Sequence, residues 1–232
     1  MSGYSLTNNY LQQSPIQTIK RRMRLTIIVI ILCTSLLSCA ANDERYLFFL
    51  HNKWIEDHEL NEGHPKYGRA EYQEIVSAFK KEGFTVISEK RKANTDEKTY
   101  ARQVKEQIDS LLQMGVEPGK ITVVGTSKGG FIAQYVSTYA RNEQLNFVFI
   151  GSSYEGLVEQ IPDIDLCGNI LAINEKTDHG SVSLAGRIEK STCHIGHFKN
   201  IELNTGKEHG FLFPLMKEWF EPTVKWARKD YQ

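Results

Sequence analysis

The stretch ITVVGTSKGGFIAQYVS, residues 121–137, has the pattern of a buried strand, a sharp turn and a helix, with a serine at the turn. Its first four residues are β-branched, and Ser127 lies in the pattern G-x-S-x-G. Glycines on both sides allow the strained backbone and close chain approach that a strand-to-helix turn requires. Such a turn raises the serine hydroxyl above the sheet edge and places the Lys128 amide at a helix N-terminus, where an N–H can stabilise an oxyanion. We therefore predict that Ser127 is a nucleophile, the alternative being a small residue in a tight bend.

A serine hydroxyl needs a base to become nucleophilic, and the base needs an acid to orient it. In chains with this turn the order is serine, then aspartate or glutamate, then histidine. Asp178 follows the apolar run NILAIN and His209 follows NIELN, so both lie where the carboxyl ends of parallel strands form a site. We expect His209 to be the base and Asp178 its partner. Three alternatives stay open: Asp178 as a helix N-cap, Glu175 as the acid in its place, and His209 as an exposed loop residue.

Apolar runs alternate with helical periodicity along the chain after Glu44. Strands are predicted for RYLFFLHN, FTVISE, KITVVGTS, NFVFIGS, NILAIN and FKNIEL. Helices are predicted over 71–82, 96–114, 129–140, 183–189 and 213–228. Pro222 is expected to break or kink the last helix, or to start its second half. The alternation predicts an α/β fold, a three-layer sandwich around a mostly parallel, doubly wound sheet of about six strands. Residues 44–232 are predicted to form one domain.

Residues 45–226 resemble the α/β-hydrolase superfamily, in particular small bacterial exported members without assigned substrates. The resemblance rests on Gly125 to Gly130, on Asp178 in INEKTD, on His209 in HGF and on the order of strands and helices. It implies a serine hydrolase that acts on a carboxylic ester or related acyl substrate, with Ser127 as nucleophile and no cofactor. The alternatives are a peptidase or thioesterase with the same triad, and a non-catalytic envelope lipoprotein that uses the fold as a binding scaffold.

Three features depart from the superfamily pattern. The chain has no room for the usual first two strands, so the expected strand order is 2-1-3-4-5-6, counted along the chain. His51-Asn52-Lys53 stands where the family usually has His-Gly, and the second oxyanion amide is expected from Lys53. The segment 152–169 is too short for a large lid, which favours small or surface-presented substrates.

Residues 1–40 are predicted to be a leader that contains a signal peptide. A basic stretch precedes the 13-residue run 25–37, and a bilayer span needs about 20 apolar residues. LLSC, ending at Cys39, resembles the lipobox of bacterial lipoproteins, in which the cysteine is acylated; ordinary cleavage after Ala40 is the alternative. We expect export to the bacterial cell envelope, with a lipid anchor in the membrane and the domain facing the periplasm or the exterior. Met23 is the expected start, because signals begin near their basic residues; the preceding residues would be a mis-assigned extension or a long leader.

Cys167 and Cys193 each precede a predicted strand. If those strands are parallel neighbours, both cysteines lie at the same end of the sheet, away from the active edge. In the oxidising compartment that export implies, we predict a disulfide that closes a loop of about 26 residues and stabilises the fold by about 3 kcal/mol. Two unpaired thiols are the alternative.

The charge pattern limits the classes of partner. The chain has 28 basic and 28 acidic residues, but residues 1–38 carry four of the basic ones and no acidic one, so the remainder has a net charge of −4. This argues against nucleic acid, whose binding depends on clustered lysine and arginine. The predicted partners are a small-molecule acyl substrate and the membrane, and the sequence indicates no oligomeric state. The basic stretch 90–92 is predicted to be a solvated strand end. No metal is predicted, because no ligand spacing fits His51, Asp57, His58 and His64.

Overall fold

The computed structural model describes residues 44–232, so the predicted leader and Cys39 lie outside the described residues. The strands are β1 Arg45–Leu50, β2 Gly63–His64, β3 Gly68–Arg69, β4 Phe84–Ile87, β5 Ile121–Thr126, β6 Asn146–Ile150, β7 Gly168–Glu175 and β8 Ile195–Leu203. The α-helices are α1 Lys53–Asp57, α2 Tyr72–Lys81, α3 Glu97–Gln113, α4 Lys128–Ala140, α5 Leu157–Gln160, α6 Ala185–Lys190 and α7 Lys217–Ala227. Within residues 44–232, no helix is long and apolar enough to cross a bilayer.

Six strands form one sheet in the order β4-β1-β5-β6-β7-β8, and every neighbouring pair is parallel. Counted along these six strands, the order is 2-1-3-4-5-6, as predicted. All residues of β5, β6 and β7 are buried, because helices cover both faces of a parallel sheet. Strand β8 lies at the edge and is largely accessible.

Two hydrophobic clusters hold the helices against the two faces of the sheet. Successive side chains of a strand point to opposite faces, so Phe49 joins one cluster and Phe48 the other. The first cluster includes Phe79 of α2 and Trp219 of α7, and the second includes residues of α3 and α4. Each large apolar side chain that is fully buried stabilises the fold by about 2–3 kcal/mol. The three-layer α/β sandwich expected from the sequence is confirmed.

Some short elements differ from the sequence-based expectation. Helix α1 and the two-stranded antiparallel sheet of β2 and β3 were not predicted, because elements of two to five residues are too short to show periodicity. The helix predicted over 213–228 is shorter in the structure, where α7 spans Lys217–Ala227, and a separate 3-10 helix, Glu208–Leu212, precedes it. Of the alternatives for Pro222, a break and the start of a second half are wrong, because α7 runs continuously through it, and a kink stays a prediction.

Cys167 and Cys193 form a disulfide between Cα atoms 5.1 Å apart. Cys167 immediately precedes β7 and Cys193 lies two residues before its parallel neighbour β8, so the bond joins the amino-terminal ends of these two strands. The Ser137 hydroxyl anchors the same segment, because it donates to the Cys167 carbonyl at 2.7 Å and accepts from the Cys167 amide at 2.8 Å.

Candidate active site

The turn between β5 and α4 places Ser127 at the carboxyl-terminal edge of the sheet. Its backbone has φ 50° and ψ −119°, a region that residues with a side chain seldom adopt. The chain can pass here because two neighbouring residues lack a Cβ. A Cβ on Gly125 would collide with the Gly129 carbonyl, and one on Gly129 would collide with the backbone at the end of β1. The amide of Ser127 donates to the Ile150 carbonyl at 2.9 Å, which attaches the turn to β6.

A continuous chain of hydrogen bonds joins the three residues predicted as a triad. The distance from Ser127 Oγ to His209 Nε2 is 2.9 Å, and the distance from His209 Nδ1 to Asp178 Oδ2 is 2.7 Å. The carboxylate can only accept, so Nδ1 carries the imidazole proton and Nε2 is free to accept the serine hydroxyl proton. The Asp178 side chain is 9% exposed and that of His209 is 31% exposed. Solvent therefore reaches the base but hardly reaches the acid.

Tyr154 is a fourth residue of this chain. Its hydroxyl donates to Asp178 Oδ2 at 2.8 Å and lies 2.9 Å from His209 Nδ1. Burial and the bond to Asp178 raise the pKa of Tyr154 far above its ordinary value, so the phenol keeps its proton. Sequence reasoning missed Tyr154, because a single tyrosine in the loop after β6 carries no motif.

Glu175, the alternative acid, has a different role in the geometry. Its carboxylate is fully buried and accepts from five donor groups: the amide and hydroxyl of Thr177, the amide and hydroxyl of Thr205, and the amide of Gly206. Burial raises its pKa, but the bonds from Thr205 and Thr177 outweigh burial and lower the pKa overall. Glu175 thus joins the loop that carries Asp178 to the loop that carries His209.

The first residues of two helices carry the amides predicted to hold the oxyanion. Lys128 is the first residue of α4 and Lys53 the first of α1, and the leading N–H groups of a helix have no acceptor within the helix. Asn52 caps α1, since its side chain accepts from the Ile55 amide at 3.1 Å. With φ −71°, Asn52 has an ordinary extended backbone, so this position does not need the glycine that the family usually has. Each amide is therefore a candidate donor to an anion.

A buried ionic cluster connects the two segments that carry these amides. Glu56, fully buried in α1, pairs with Arg91 Nε at 3.0 Å and with Lys128 Nζ at 2.7 Å, and accepts from the Thr95 amide at 3.1 Å. The prediction that residues 90–92 form a solvated strand end is wrong for the middle residue, because Arg91 is 2% exposed. The basic run gave no sign that one of its members points inward.

His51 connects Arg91 to the loop that follows β1. Its Nδ1 donates to the Asn52 carbonyl at 2.8 Å, and its Nε2 accepts from the Arg91 amide at 2.9 Å. Burial, and secondarily the charge of Arg91, lower the pKa of His51 to about 3. His51 is therefore neutral over the ordinary pH range and serves as a fixed hydrogen-bonding bridge.

Aromatic rings line the region between the α1 loop and the histidine loop. Trp54 stacks on His58 with ring centroids 3.6 Å apart, and His64 stacks on Tyr67 at 4.5 Å. Tyr67 also packs closely against Gly210, next to His209, and borders a cavity of about 260 Å³. Within residues 44–232, no three side chains of the metal-ligating types converge to hold a metal ion.

Several solved structures are similar to this chain. No protein-family model and no curated protein sequence matches the chain. Among solved structures, the Francisella virulence factor BioJ is similar with a TM-score of 0.59 and 12% identity, over 82% of this chain and 78% of its own. The sugar hydrolase YeeB from Lactococcus lactis is similar with a TM-score of 0.53 and 12% identity, over 81% and 90%. MGS-M1, an alpha/beta hydrolase enzyme from a Medee basin deep-sea metagenome library, has a TM-score of 0.51 and 12% identity, over 84% and 88%. With these neighbours, the parallel six-stranded sheet identifies the fold of the chain as a reduced α/β-hydrolase fold.

Proposed function

We propose that the protein is a serine hydrolase that cleaves a carboxylic ester or related acyl substrate through Ser127, His209 and Asp178. The observation that carries the proposal is the hydrogen-bonded chain from Ser127 Oγ through the His209 ring to Asp178 Oδ2. A serine on a strained strand-to-helix turn, bonded to a histidine that a buried carboxylate orients, is the arrangement that activates a hydroxyl for acyl transfer.

In the first step, Ser127 Oγ attacks the carbonyl carbon of the substrate while His209 Nε2 takes the hydroxyl proton. Asp178 stabilises the imidazolium that forms, and Tyr154 holds the carboxylate by donating to the same oxygen. The amides of Lys128 and Lys53 donate to the oxyanion of the tetrahedral intermediate. His209 then returns the proton to the leaving alcohol, and the acyl group stays on Ser127.

In the second step, water attacks the acyl-serine ester. His209 takes a proton from the water, and the same two amides hold the second oxyanion. As this intermediate collapses, the bond between Ser127 Oγ and the acyl carbon breaks, His209 returns the proton to Oγ, and the acid leaves. No metal or cofactor takes part in this scheme. The short segment after β6 favours small or surface-presented acyl groups, because it leaves the serine without a large cover.

The test is labelling of the purified protein with a fluorophosphonate probe, which reacts with activated serines. Wild type is expected to label, Ser127→Ala to lose the signal entirely, and His209→Ala to lose nearly all of it. Ser183→Ala and His197→Ala are matched controls, since both residues lie outside the hydrogen-bonded chain, and they should label like wild type. Hydrolysis of short-chain p-nitrophenyl esters would then define the acyl preference.

Thermal melting of each variant separates loss of function from loss of fold. A folded wild type that takes up no probe and hydrolyses no ester would refute the proposal and favour the alternative of a binding scaffold. Labelling that survives Ser127→Ala would mean that another serine reacts, which would equally refute the assignment.

We also propose that the domain functions outside the cytoplasm, attached to a membrane through acylated Cys39. The supporting observations are the signal-like sequence of residues 20–41 and the disulfide, a bond typical of oxidising compartments. Metabolic labelling with an alkyne fatty acid in a bacterial host is expected to mark wild type and not Cys39→Ala. Equal labelling of both proteins, or none of either in a host with lipoprotein processing, would refute the anchor.

A further inference from the structure

The ionic cluster of Glu56, Arg91 and Lys128 lies in an unusual place for buried charge. Removing three charged side chains from water is costly, and such clusters seldom add net stability compared with apolar packing. Here the side chains of Glu56 and Arg91 are 0% and 1% exposed, and that of Lys128 is 11% exposed. Each member also belongs to, or bonds to, a segment that carries one of the two oxyanion amides.

The contacts run from one amide to the other. Lys128, whose own amide is one donor, reaches Glu56 with its ammonium at 2.7 Å and the Thr95 carbonyl at 2.6 Å. Glu56 belongs to α1, the five-residue helix that begins at Lys53. A helix this short has little stability of its own, so its position depends on what its side chains bind.

Arg91 fixes the other end of the same loop. Its Nε donates to Glu56, its Nη2 donates to the His51 carbonyl at 2.5 Å, and its backbone amide donates to the His51 ring. His51 directly precedes Asn52, the cap of α1. The loop is therefore held at its start by Arg91 and within α1 by Glu56, and Glu56 attaches it to the side chain of Lys128, which follows Ser127.

We propose that Glu56, Arg91 and Lys128 are positioning residues that fix the separation of the Lys53 and Lys128 amides, so that both donate to one oxyanion. This inference rests on the proposed function. The ions do not touch substrate. They act through the backbone of the two segments that they connect, and their rigidity keeps both donors aligned before the negative charge develops.

The decisive variant is Lys128→Met, which removes the ammonium but leaves the ion pair between Glu56 and Arg91. The charges of this pair balance, so the protein is expected to fold. In hydrolysis of a p-nitrophenyl ester, kcat should fall about 10- to 100-fold while KM changes less than threefold, because the oxyanion exists only after attack. The dissociation constant of a boronic acid, which forms a tetrahedral adduct with the serine, should rise by the same factor as kcat/KM falls.

Lys105→Met is the matched control, because the Lys105 ammonium pairs with Asp109 of the same helix, α3, and not with the ionic cluster. It should leave kcat, KM and boronic acid affinity unchanged. Glu56→Gln provides a second test that keeps the side-chain shape, and it should lower kcat at least as much as Lys128→Met. If Glu56→Gln does not fold, Lys128→Met decides.

The outcomes separate this inference from the proposed function. An active wild type, together with a Lys128→Met variant whose kcat and boronic acid affinity stay within twofold of wild type, refutes the positioning role and leaves the hydrolase assignment intact. The same result with a lower melting temperature means that the cluster is only structural. A folded wild type that neither labels nor hydrolyses esters refutes both proposals.

Discussion

The two edges of the central sheet are stabilised in different ways. At the amino-terminal edge, loops are held by the Cys167–Cys193 disulfide, by neutral hydrogen bonds and by a surface ion pair between Arg141 and Asp165 at 2.8 Å. Asn146, at the start of β6, donates to the Gly119 carbonyl at 3.0 Å and accepts from the Tyr231 hydroxyl at 2.7 Å. At the carboxyl-terminal edge, the loops are held by ionised or titratable side chains, among them those of the buried residues Glu56, Glu175 and Asp178.

This contrast shows which part of the fold should respond to chemistry in the solvent. A covalent bond and neutral amides do not depend on pH and a surface ion pair adds little stability, whereas the contribution of buried carboxylates depends on pH. The edge that carries the proposed active site should therefore be the acid-sensitive edge, and the opposite edge should respond to reductants. The following predictions test that division.

The largest expected effect is at the carboxyl-terminal edge, on activity. Asp178→Asn keeps the size of the side chain but can donate to His209 Nδ1, which favours the wrong imidazole tautomer. We expect kcat to fall about 10⁴-fold with the melting temperature nearly unchanged. Steady-state ester hydrolysis measures the change in kcat, and thermal melting measures the melting temperature. Loss of less than 10-fold would mean that Asp178 does not orient the base.

Acid should weaken the same edge. The folded-state pKa of Glu175 is lowered, and that of His51 is lowered to about 3, so between pH 3 and pH 6.5 the unfolded chain binds more protons than the folded one. Stability is therefore fully present above about pH 6.5 and is lost as the pH falls through the folded-state values. Urea unfolding at pH 7, 5.5 and 4 should show a steady decline in the free energy of unfolding.

Glu175→Gln measures how much of the loss of stability in acid comes from one carboxylate. The amide cannot replace an anion that accepts from five donors, so we expect a loss of about 3 kcal/mol at pH 7. The dependence of stability on pH below about 4.5 should be weaker than in wild type. Glu202→Gln, an exposed residue of β8, is the matched control and should keep the wild-type profile. An unchanged profile in Glu175→Gln would assign the acid sensitivity to other groups.

At the amino-terminal edge, replacing both Cys167 and Cys193 by serine should lower the free energy of unfolding by about 3 kcal/mol through loop entropy. The loss should be equal at pH 7 and pH 5, and kcat should stay within twofold of wild type, since the bond lies at the opposite edge from Ser127. A large loss of activity in a folded variant would show that the two edges are coupled.

The smallest effect concerns backbone strain at the turn. Ser127→Gly removes the Cβ that makes φ 50° unfavourable, and Ser127→Ala keeps it. Relief of about 1–3 kcal/mol of strain outweighs the roughly 0.5–1 kcal/mol that glycine costs in chain entropy, so Ser127→Gly should be about 1 kcal/mol more stable than Ser127→Ala. Both variants should be inactive, and equal stabilities would show that the turn holds no strain.

The elements that the sequence predicts well are those with strong local patterns. The strand, turn and helix around Ser127 follow from glycines that only a close-packed turn needs, and the sheet order follows from the alternation of strands and helices. Asp178 and His209 could be placed at the right edge because each follows a buried apolar run. The structure brings these three side chains into hydrogen-bonding distance.

The parts that were missed depend on contacts between distant segments. Arg91 belongs to a basic run that looks solvated, and its burial depends on Glu56, 35 residues earlier in the chain. Tyr154 reaches Asp178 only because the loop after β6 lies against the loop that carries Asp178. Helix α1 has five residues, too few for periodicity to appear. Propensity and spacing carry no information about such pairings.

The all-parallel strand order has a consequence for how the molecule folds. Strand β1 pairs with β5, so Leu50 must find Gly125 across an intervening crossover. His209 follows β8, the edge strand that comes last in the chain, and so joins the serine only after that strand docks. Sheets built from such distant pairings fold on the scale of milliseconds to seconds. In refolding from denaturant, the circular dichroism of the helices should therefore return first and ester hydrolysis last. The recovery of activity would then report when the last strand docks.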